Sequence, residues 1–402
     1  MSSLPSFPAS APADQPLPHE AYLTAIASLE QVGPARMRWL LTHGSPERVW
    51  QLLKAGKISH PPSQLAIKPQ ELSKWVSEAN QANPHYLWRR CCAMGVGVVS
   101  LGSPGYPPAL ANDIDPPVVL FHLGNPDLIT APSVAIVGTR RATGYGLRVA
   151  EQLGAGLAEA GVMVISGLAL GIDAAAHAGA LNAGPRGAAV AAVVGAGLDS
   201  PCPVRNRKLA ARVVGSGVIF SEVPPYISAA PWRFPVRNRI LAALADLVVV
   251  VESAGAGGSM HTVKEALARD IPILSVPGPI DSRASEGTNR LLSDGAEPCL
   301  CVDDILMALG MARGSPRSTQ LSAPQPALES RPAPDEAGER ALSVIGWRPV
   351  SVEHLGLRSG LDFKQLARTL SWLETHGWIQ RTGGWIERRA RQDSFPKRAT
   401  GA

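Results

Sequence analysis

Val134-Ala135-Ile136-Val137-Gly138-Thr139-Arg140-Arg141-Ala142-Thr143-Gly144-Tyr145-Gly146 is the stretch that decides the fold. Four apolar residues run into a glycine-bearing turn, and a helical pattern follows, which opens a β–α unit. The pattern recurs downstream. Strands are predicted at Val134–Val137, Val162–Ile165, Ala188–Val194, Gly217–Phe220, Leu247–Val251 and Ile273–Val276, with a short one at Cys299–Val302. Continuous runs such as Leu247-Val248-Val249-Val250-Val251 suit strands covered on both faces, as in a parallel sheet between helix layers. The fold class is therefore α/β, an extended Rossmann-like, doubly wound and mostly parallel sheet. Upstream of it, Val96 to Ile129 carries Pro107, Pro108, Pro116 and Pro117 and reads as an irregular lead into the sheet.

Outward from this core, residues 19–88 read as short helices. Leu23, Ile26 and Leu29 have helical spacing, Val32-Gly33-Pro34-Ala35 makes a turn, and Ser45-Pro46-Glu47 starts a helix. Leu29 to Leu41 resembles a helix-hairpin-helix with Gln31 where the first hairpin glycine is usual, and it reads foremost as a packing module. The expected divisions are a disordered tail at 1–18, this helical domain at 19–88, and the Rossmann-like domain at 89–310. A flexible linker at 311–336, a winged helix at 337–390 and a basic tail at 391–402 follow. In the winged helix, Asp362 caps a helix whose Phe363, Leu366, Leu370 and Leu373 form one apolar stripe, and a hairpin follows at Trp378–Glu387.

The composition excludes some classes. No run of apolar residues is long enough for a membrane span. Met1 to Pro18 lacks the basic and apolar regions of a secretory signal. Cys91, Cys92, Cys202, Cys299 and Cys301 are odd in number and unpaired in pattern, so no disulfide framework or zinc site is expected and a cytoplasmic location fits. The net charge of +5 permits a nucleic-acid partner.

Ligands of open α/β sheets bind at the carboxyl ends of the strands. The first strand ends in Gly138, Thr139, Arg140 and Arg141, the second in Ser166 and Gly167, and the fifth runs on to Gly258 and Ser259. Glycines let a backbone approach an anion, and following helices aim N–H groups at it. Gly195 and Gly278, after the third and sixth strands, read as turn makers. The spacing is neither G-x-G-x-x-G nor a P-loop, which disfavours NAD and ATP hydrolysis and leaves no cofactor expected. Pro231-Trp232-Arg233-Phe234-Pro235-Val236-Arg237-Asn238-Arg239 interleaves arginines with aromatics, as a single strand of nucleic acid requires, and Lys208 with Arg205 and Arg207 adds charge. Alternatively, Trp232 and Phe234 seal the sheet edge and Arg237 pairs with Glu222. Asp173 and His177, four apart, share a helix face without a third metal ligand or a nucleophile, so a capping and a structural role are expected.

Val137-Gly138-Thr139-Arg140, Ser166-Gly167-Leu168-Ala169, Gly171-Ile172-Asp173, Ala176-His177, Ser221-Glu222, Phe234-Pro235, Arg237-Asn238-Arg239-Ile240 and Val276-Pro277-Gly278 together resemble the DNA-processing protein A (DprA/Smf) family. The resemblance implies a non-catalytic homodimer that binds and protects incoming single-stranded DNA and helps load the RecA recombinase in natural transformation. It implies a DNA pocket lined by Arg140, Gly167, Lys208, Ser221, Arg237, Asn238 and Arg239. Cys202-Pro203, Ala178 and Gly258-Ser259-Met260-His261-Thr262 depart from the family's usual residues. An enzymatic alternative is a nucleotide 5′-monophosphate phosphoribohydrolase, in which Glu265 of the loosely similar Gly257–Glu265 stretch is the catalytic carboxylate.

Overall fold

The computed structural model describes residues 16–389 apart from 60, 130–131, 185–186, 228–229, 256, 311–330, 346–349 and 383–384. Most of the expected N-terminal tail and linker, the Gly383-Gly384 turn and the basic tail lie outside the described residues. Two compact units divide the chain, Met1–Ser315 and Pro316–Ala402.

The first unit begins with α1 (His19–Ala27), α2 (Pro34–Leu41), α3 (Pro46–Lys54), α4 (Pro69–Gln81) and α5 (Pro84–Ala93). Four of these helices start on proline, whose missing N–H is not needed in a first turn, and Ser45 and Asn83 cap theirs through side-chain oxygens. Gln31 takes the left-handed conformation that the hairpin between α1 and α2 requires, with φ of 60°. The turn therefore forms without the usual glycine.

The chain continues through β1 (Gly97–Ser100), α6 (Pro108–Ala111), β2 (Val119–Gly124), β3 (Ser133–Val137), α7 (Gly144–Glu159), β4 (Met163–Ser166) and α8 (Ile172–Asn182). Next come β5 (Val190–Val194), α9 (Arg207–Ser216), β6 (Gly217–Ser221), α10 (Arg233–Ala243), β7 (Leu247–Val250) and α11 (Ser259–Leu267). The unit closes with β8 (Ile273–Ser275), α12 (Glu286–Ser293), β9 (Glu297–Pro298) and α13 (Val302–Ala308). The sheet order is β1-β2-β6-β5-β4-β3-β7-β8-β9. Strands β3 to β9 run parallel, and the antiparallel pair β1–β2 joins at β6.

Two expectations need correction. The lead from Val96 to Ile129 contains two strands, because its prolines fall in the connection between them and not in the ladders. Cys299–Val302 is not a strand: the Asp304 carboxylate accepts the N–H groups of Leu300 and Cys301 at 2.7 and 3.0 Å and starts α13 there.

Val134 lies opposite Val164 of β4 and Leu247 of β7, so β3 is an inner strand paired on both sides. Alternate residues feed two cores. Val134 and Ile136 join the face that also buries Ile26, Leu40, Trp50 and Trp75 of the N-terminal helices. Ala135 and Val137 join the opposite face, with Ile240, Leu241 and Val263 of α10 and α11. The N-terminal helices thus complete a layer over the sheet. An ion-pair relay also ties them on: Arg38 of α2 to Asp115 at 2.5 Å, and Asp115 to Arg239 of α10 at 3.1 Å.

The second unit holds α14 (Glu336–Ile345), β10 (Val350–Ser351), α15 (Val352–Ser359), α16 (Phe363–Thr375), β11 (Ile379–Thr382) and β12 (Trp385–Arg388), a winged helix with sheet order β10-β12-β11. Asp362 caps α16 by accepting the Gln365 N–H at 2.8 Å. Leu366, Leu370 and Leu373 are buried against Leu342, Leu355 and Trp378. Phe363, expected in the same stripe, is exposed, since the first helical residue overhangs the small core.

Candidate nucleic-acid interface at the carboxyl edge of the sheet

The strand order reverses between β3 and β7, which makes their carboxyl ends the topological switch point. A nucleotide phosphate would sit here on the N-terminus of α7. That seat is filled by the chain itself. The Thr143 N–H donates to Glu252 Oε2 at 2.9 Å, its hydroxyl donates to Oε1 at 2.5 Å, and the Thr139 N–H donates to the Glu252 carbonyl at 2.7 Å. Glu252 is buried, and its carboxylate supplies the negative charge that the helix terminus attracts. The glycine loop after β3 is therefore shaped around an internal anion.

The loop after β4 is equally self-satisfied. The Ser166 hydroxyl donates to the Ile136 carbonyl at 2.6 Å, and the Gly167 N–H donates to Asp173 Oδ2 at 3.1 Å. Asn206 donates to the carbonyls of Leu168 and Ala169 at 2.9 and 3.1 Å, which fixes the start of α9 beside this loop. A methyl group on Gly167 would stand 2.6 Å or less from both terminal guanidinium nitrogens of Arg237 and 2.6 Å from Asp173 Oδ2, so a side chain there would displace the Arg237 guanidinium and the Asp173 carboxylate. Asp173 is buried in the first turn of α8, and burial holds its carboxyl above the usual range while Arg237 opposes that shift. His177, one turn on, is fully buried; burial pushes it down to about 4, and neither ring nitrogen has a hydrogen-bond partner among the described residues. Both side chains are buried, Asp173 directly beneath the Gly167 loop.

Arg237, Asn238 and Arg239 fan out from the first turns of α10 and brace three different loops. Arg237, 8% exposed, donates to the carbonyls of Val193 at the end of β5 and Gly167 after β4. Burial lowers its pKa to about 10. Asn238 reaches the Gly258 carbonyl in the loop before α11 at 3.5 Å. Arg239 donates to both Glu222 oxygens at 2.7 Å, so the partner of Glu222 is Arg239 and not Arg237. Ser221 is likewise buried, its hydroxyl donating to the Ala196 carbonyl and accepting the Val223 N–H. Ser259 donates to Ser253 Oγ at 2.8 Å, while Gly258 is exposed. Gly278 and Asn289 exchange two hydrogen bonds, which closes that turn.

What faces outward is cationic. Arg140, Arg141, Arg205, Arg207 and Lys208 are exposed, and none has an ion-pair partner among the described residues. The loop after β4 links the two groups: a methyl on Gly171 would lie 2.3 Å from the Thr139 carbonyl oxygen, and Asn206, between Arg205 and Arg207, bonds the carbonyls of Leu168 and Ala169. Gly138 and Thr139 are half-buried beneath Arg140. The Arg140 guanidinium lies 4.8 Å from the centre of the Phe234 ring, which presents a flat apolar group next to the charge. The structure thus joins the residues foreseen from the sequence at one edge but splits them into exposed contacts and buried braces. Glu252 and Asn206 were not foreseen. An acid directly after a buried strand, at the end of a run that needs no charge, was the available signal for Glu252.

The Glu265 carboxylate, central to the enzymatic alternative, bonds Arg269 at 2.6 Å, and Arg269 in turn holds Asp113 at 2.7 Å. It serves as an ion-pair partner on α11. Among the described residues no cluster of three or more His, Cys, Asp or Glu side chains is placed to hold a metal ion, and no helix is long and apolar enough to cross a membrane.

The sequence model of the DNA recombination-mediator protein A family matches residues 97–310, the whole sheet from β1 to α13. The chain belongs to this family. The DprA winged-helix domain, matched over residues 323–384, accounts for the second unit of this recombination-mediator family member. A Mycobacterium tuberculosis relative described as a DNA processing protein DprA is 38% identical over 281 residues, covering 68% of this chain and 69% of its own. Protein Smf of Escherichia coli is 33% identical over 290 residues, 71% of this chain and 75% of its own. The crystal structure of DNA processing protein A from Streptococcus pneumoniae superposes with a TM-score of 0.60 at 29% identity, covering 72% of this chain and 96% of that one. A Helicobacter pylori DNA processing protein A, described for its single-stranded DNA binding mode, aligns at 30% identity over 53% of this chain and 95% of its own, with a TM-score of 0.48.

Proposed function

We propose that this DNA-processing family member binds single-stranded DNA along the carboxyl edge of its sheet, without catalysing a reaction on it. The observation that carries this is the contrast at the switch point. The nucleotide seat is filled by Glu252, while five cations with no ion-pair partner among the described residues lie exposed across neighbouring loops, beside the half-buried Phe234 ring. Such a layout suits a chain of phosphates with unpaired bases between them better than one nucleotide. Arg140, Arg141 and Lys208 meet phosphates, with Arg205 and Arg207 beside them, and Phe234 stacks a base. Gly138, Thr139 and Gly258 line the surface, and the buried Ser166, Gly167, Ser221 and Ser259 with Arg237, Asn238 and Arg239 hold it in shape. By family likeness the protein acts in the cytoplasm as a homodimer that protects incoming DNA and helps load RecA in transformation.

A gel shift comparing oligo-dT with duplex DNA at two salt concentrations tests the binding. The single strand is expected to bind more tightly, with affinity falling steeply as salt rises. Arg140→Ala should weaken oligo-dT binding about tenfold and reduce the salt slope by about one, as loss of one phosphate contact does. Equal binding of duplex, or an unchanged slope in Arg140→Ala, would move the site elsewhere. The winged helix is secondary: Lys364 and Arg368 are sparse charge for a recognition helix. Removal of residues 337–402 should leave most single-strand affinity in place, and a near-complete loss would show that this unit carries the DNA.

A further inference from the structure

A second row of aromatic and cationic side chains starts where the Arg140–Phe234 pair ends. Arg233, next to Phe234, lies 4.8 Å from the centre of the Trp232 ring, and Trp232 is 47% exposed. Gly195, at the end of β5, abuts this pair: a methyl there would stand 3.3 Å from both the Phe234 ring and the Arg233 carbonyl. Two residues along the same loop, Gly197 abuts Tyr226, with a methyl 3.0 Å from its backbone nitrogen. Tyr226 is 42% exposed, and the Arg90 guanidinium of α5 lies 3.2 Å from its ring centre. Arg90 also lies 5.3 Å from the ring of Tyr86, itself 55% exposed. One continuous edge therefore carries Arg140–Phe234, Arg233–Trp232 and Arg90 between Tyr226 and Tyr86.

The backbone holds this row in place against its own preference. Tyr226 has φ of 70°, a left-handed conformation that bulky residues rarely adopt. Its N–H donates to Asp199 Oδ1 at 2.6 Å, and its hydroxyl donates to Met94 Sδ at 2.7 Å. Asp199, the acid beside the row, is thereby engaged. A left-handed tyrosine fixed at both ends and still exposed is a costly way to fill surface, and such conformations cluster at binding sites. Trp232 is placed by the N-terminal helices too, against Gly33 of the α1–α2 hairpin.

We propose that the single strand continues from the Arg140 pocket over the loops after β5 and β6 onto α5, with Trp232, Tyr226 and Tyr86 as base-stacking platforms and Arg233 and Arg90 at the phosphates. This rests on the single-strand reading above and adds the N-terminal helices to the binding surface. Flat rings at intervals between guanidinium groups match the alternation of bases and phosphates in an unpaired strand. A duplex has no exposed base faces to offer them.

The test uses the full chain with an oligo-dT of about 6 nucleotides, short enough for the Arg140 pocket alone, and one of about 25. Tyr226→Gly relieves the backbone while removing the ring, and Tyr86→Ala changes only an exposed helix position. Each should weaken binding of the long oligomer about tenfold, the worth of one stacked base, and leave the short one unchanged. A long strand of abasic sugar-phosphate should bind both variants as it binds the unaltered protein. Long-strand affinity that stays unchanged in both variants, with unchanged melting, overturns the extension and marks the row as a surface for another partner. Arg140→Ala must weaken both lengths; if it weakens neither, or the unaltered protein binds neither oligomer, the central site fails and the extension with it.

Discussion

Arg237→Ala is expected to destabilise the fold by about 3–5 kcal/mol, as removing one of two neighbouring buried opposite charges does, with any loss of DNA binding following from that. Arg237 is buried, donates to two strand-end carbonyls, and is the cation that opposes the burial shift of Asp173. Its removal takes the largest opposing charge from the buried Asp173 carboxylate and leaves two carbonyls without their donor. The pH dependence has a definite sign. Asp173 already has a folded-state pKa above its unfolded value, and losing Arg237 raises it further. Between the two values the folded protein binds more protons, so its stability rises as pH falls toward the unfolded pKa of Asp. The deficit of Arg237→Ala should therefore shrink in acid, read by urea melts across that window. Adding Asp173→Asn should recover part of the loss at neutral pH. A stable Arg237→Ala protein whose only change is a lower salt slope would return Arg237 to the phosphate contacts.

That outcome bears on how much of this protein is legible in its sequence. Period and burial were readable: the runs around Ile136, Ile165, Val193 and Val249 are apolar at every position, and each became an inner parallel strand. The antiparallel edge of β1 and β2 was hidden because prolines in a connection look like prolines in an irregular segment. At the binding edge, the residue set was legible and the roles were not. Arg140 and Arg237 look alike as letters, but one points outward beside Phe234 and the other inward beside Gly167. What separates them is the three-dimensional place of Asp173, which no local pattern reports. Phe363 shows the same limit on a helix, since its spacing matches the stripe but the core ends one turn later.

Glu252→Ala should produce the second large effect, a loss of about 2–4 kcal/mol, because the Thr143 amide and hydroxyl each lose the charged acceptor that the buried Glu252 carboxylate supplies. The loss should come with a gain that no other variant of this edge shows. With the internal carboxylate gone, the N-terminus of α7 presents unsatisfied N–H groups and a positive dipole end to solvent, the arrangement that holds phosphate in nucleotide-binding sheets. Inorganic phosphate should therefore raise the melting temperature of Glu252→Ala in a concentration-dependent way, as ligand binding to the folded state alone requires. The unaltered protein should respond only as far as its exposed arginines allow, and sodium chloride at matched ionic strength corrects for that screening. Equal phosphate shifts in both proteins would mean that Glu252 does not fill the seat, and a nucleotide at the switch point would again compete with the single strand. A shift confined to the variant would explain why this sheet, with the topology of a nucleotide-binding fold, has its outward charge displaced onto Arg140, Arg141 and the start of α9. An internal acid has taken the one place where a single phosphate binds best, so binding must be shared among contacts that only a longer anion can reach together.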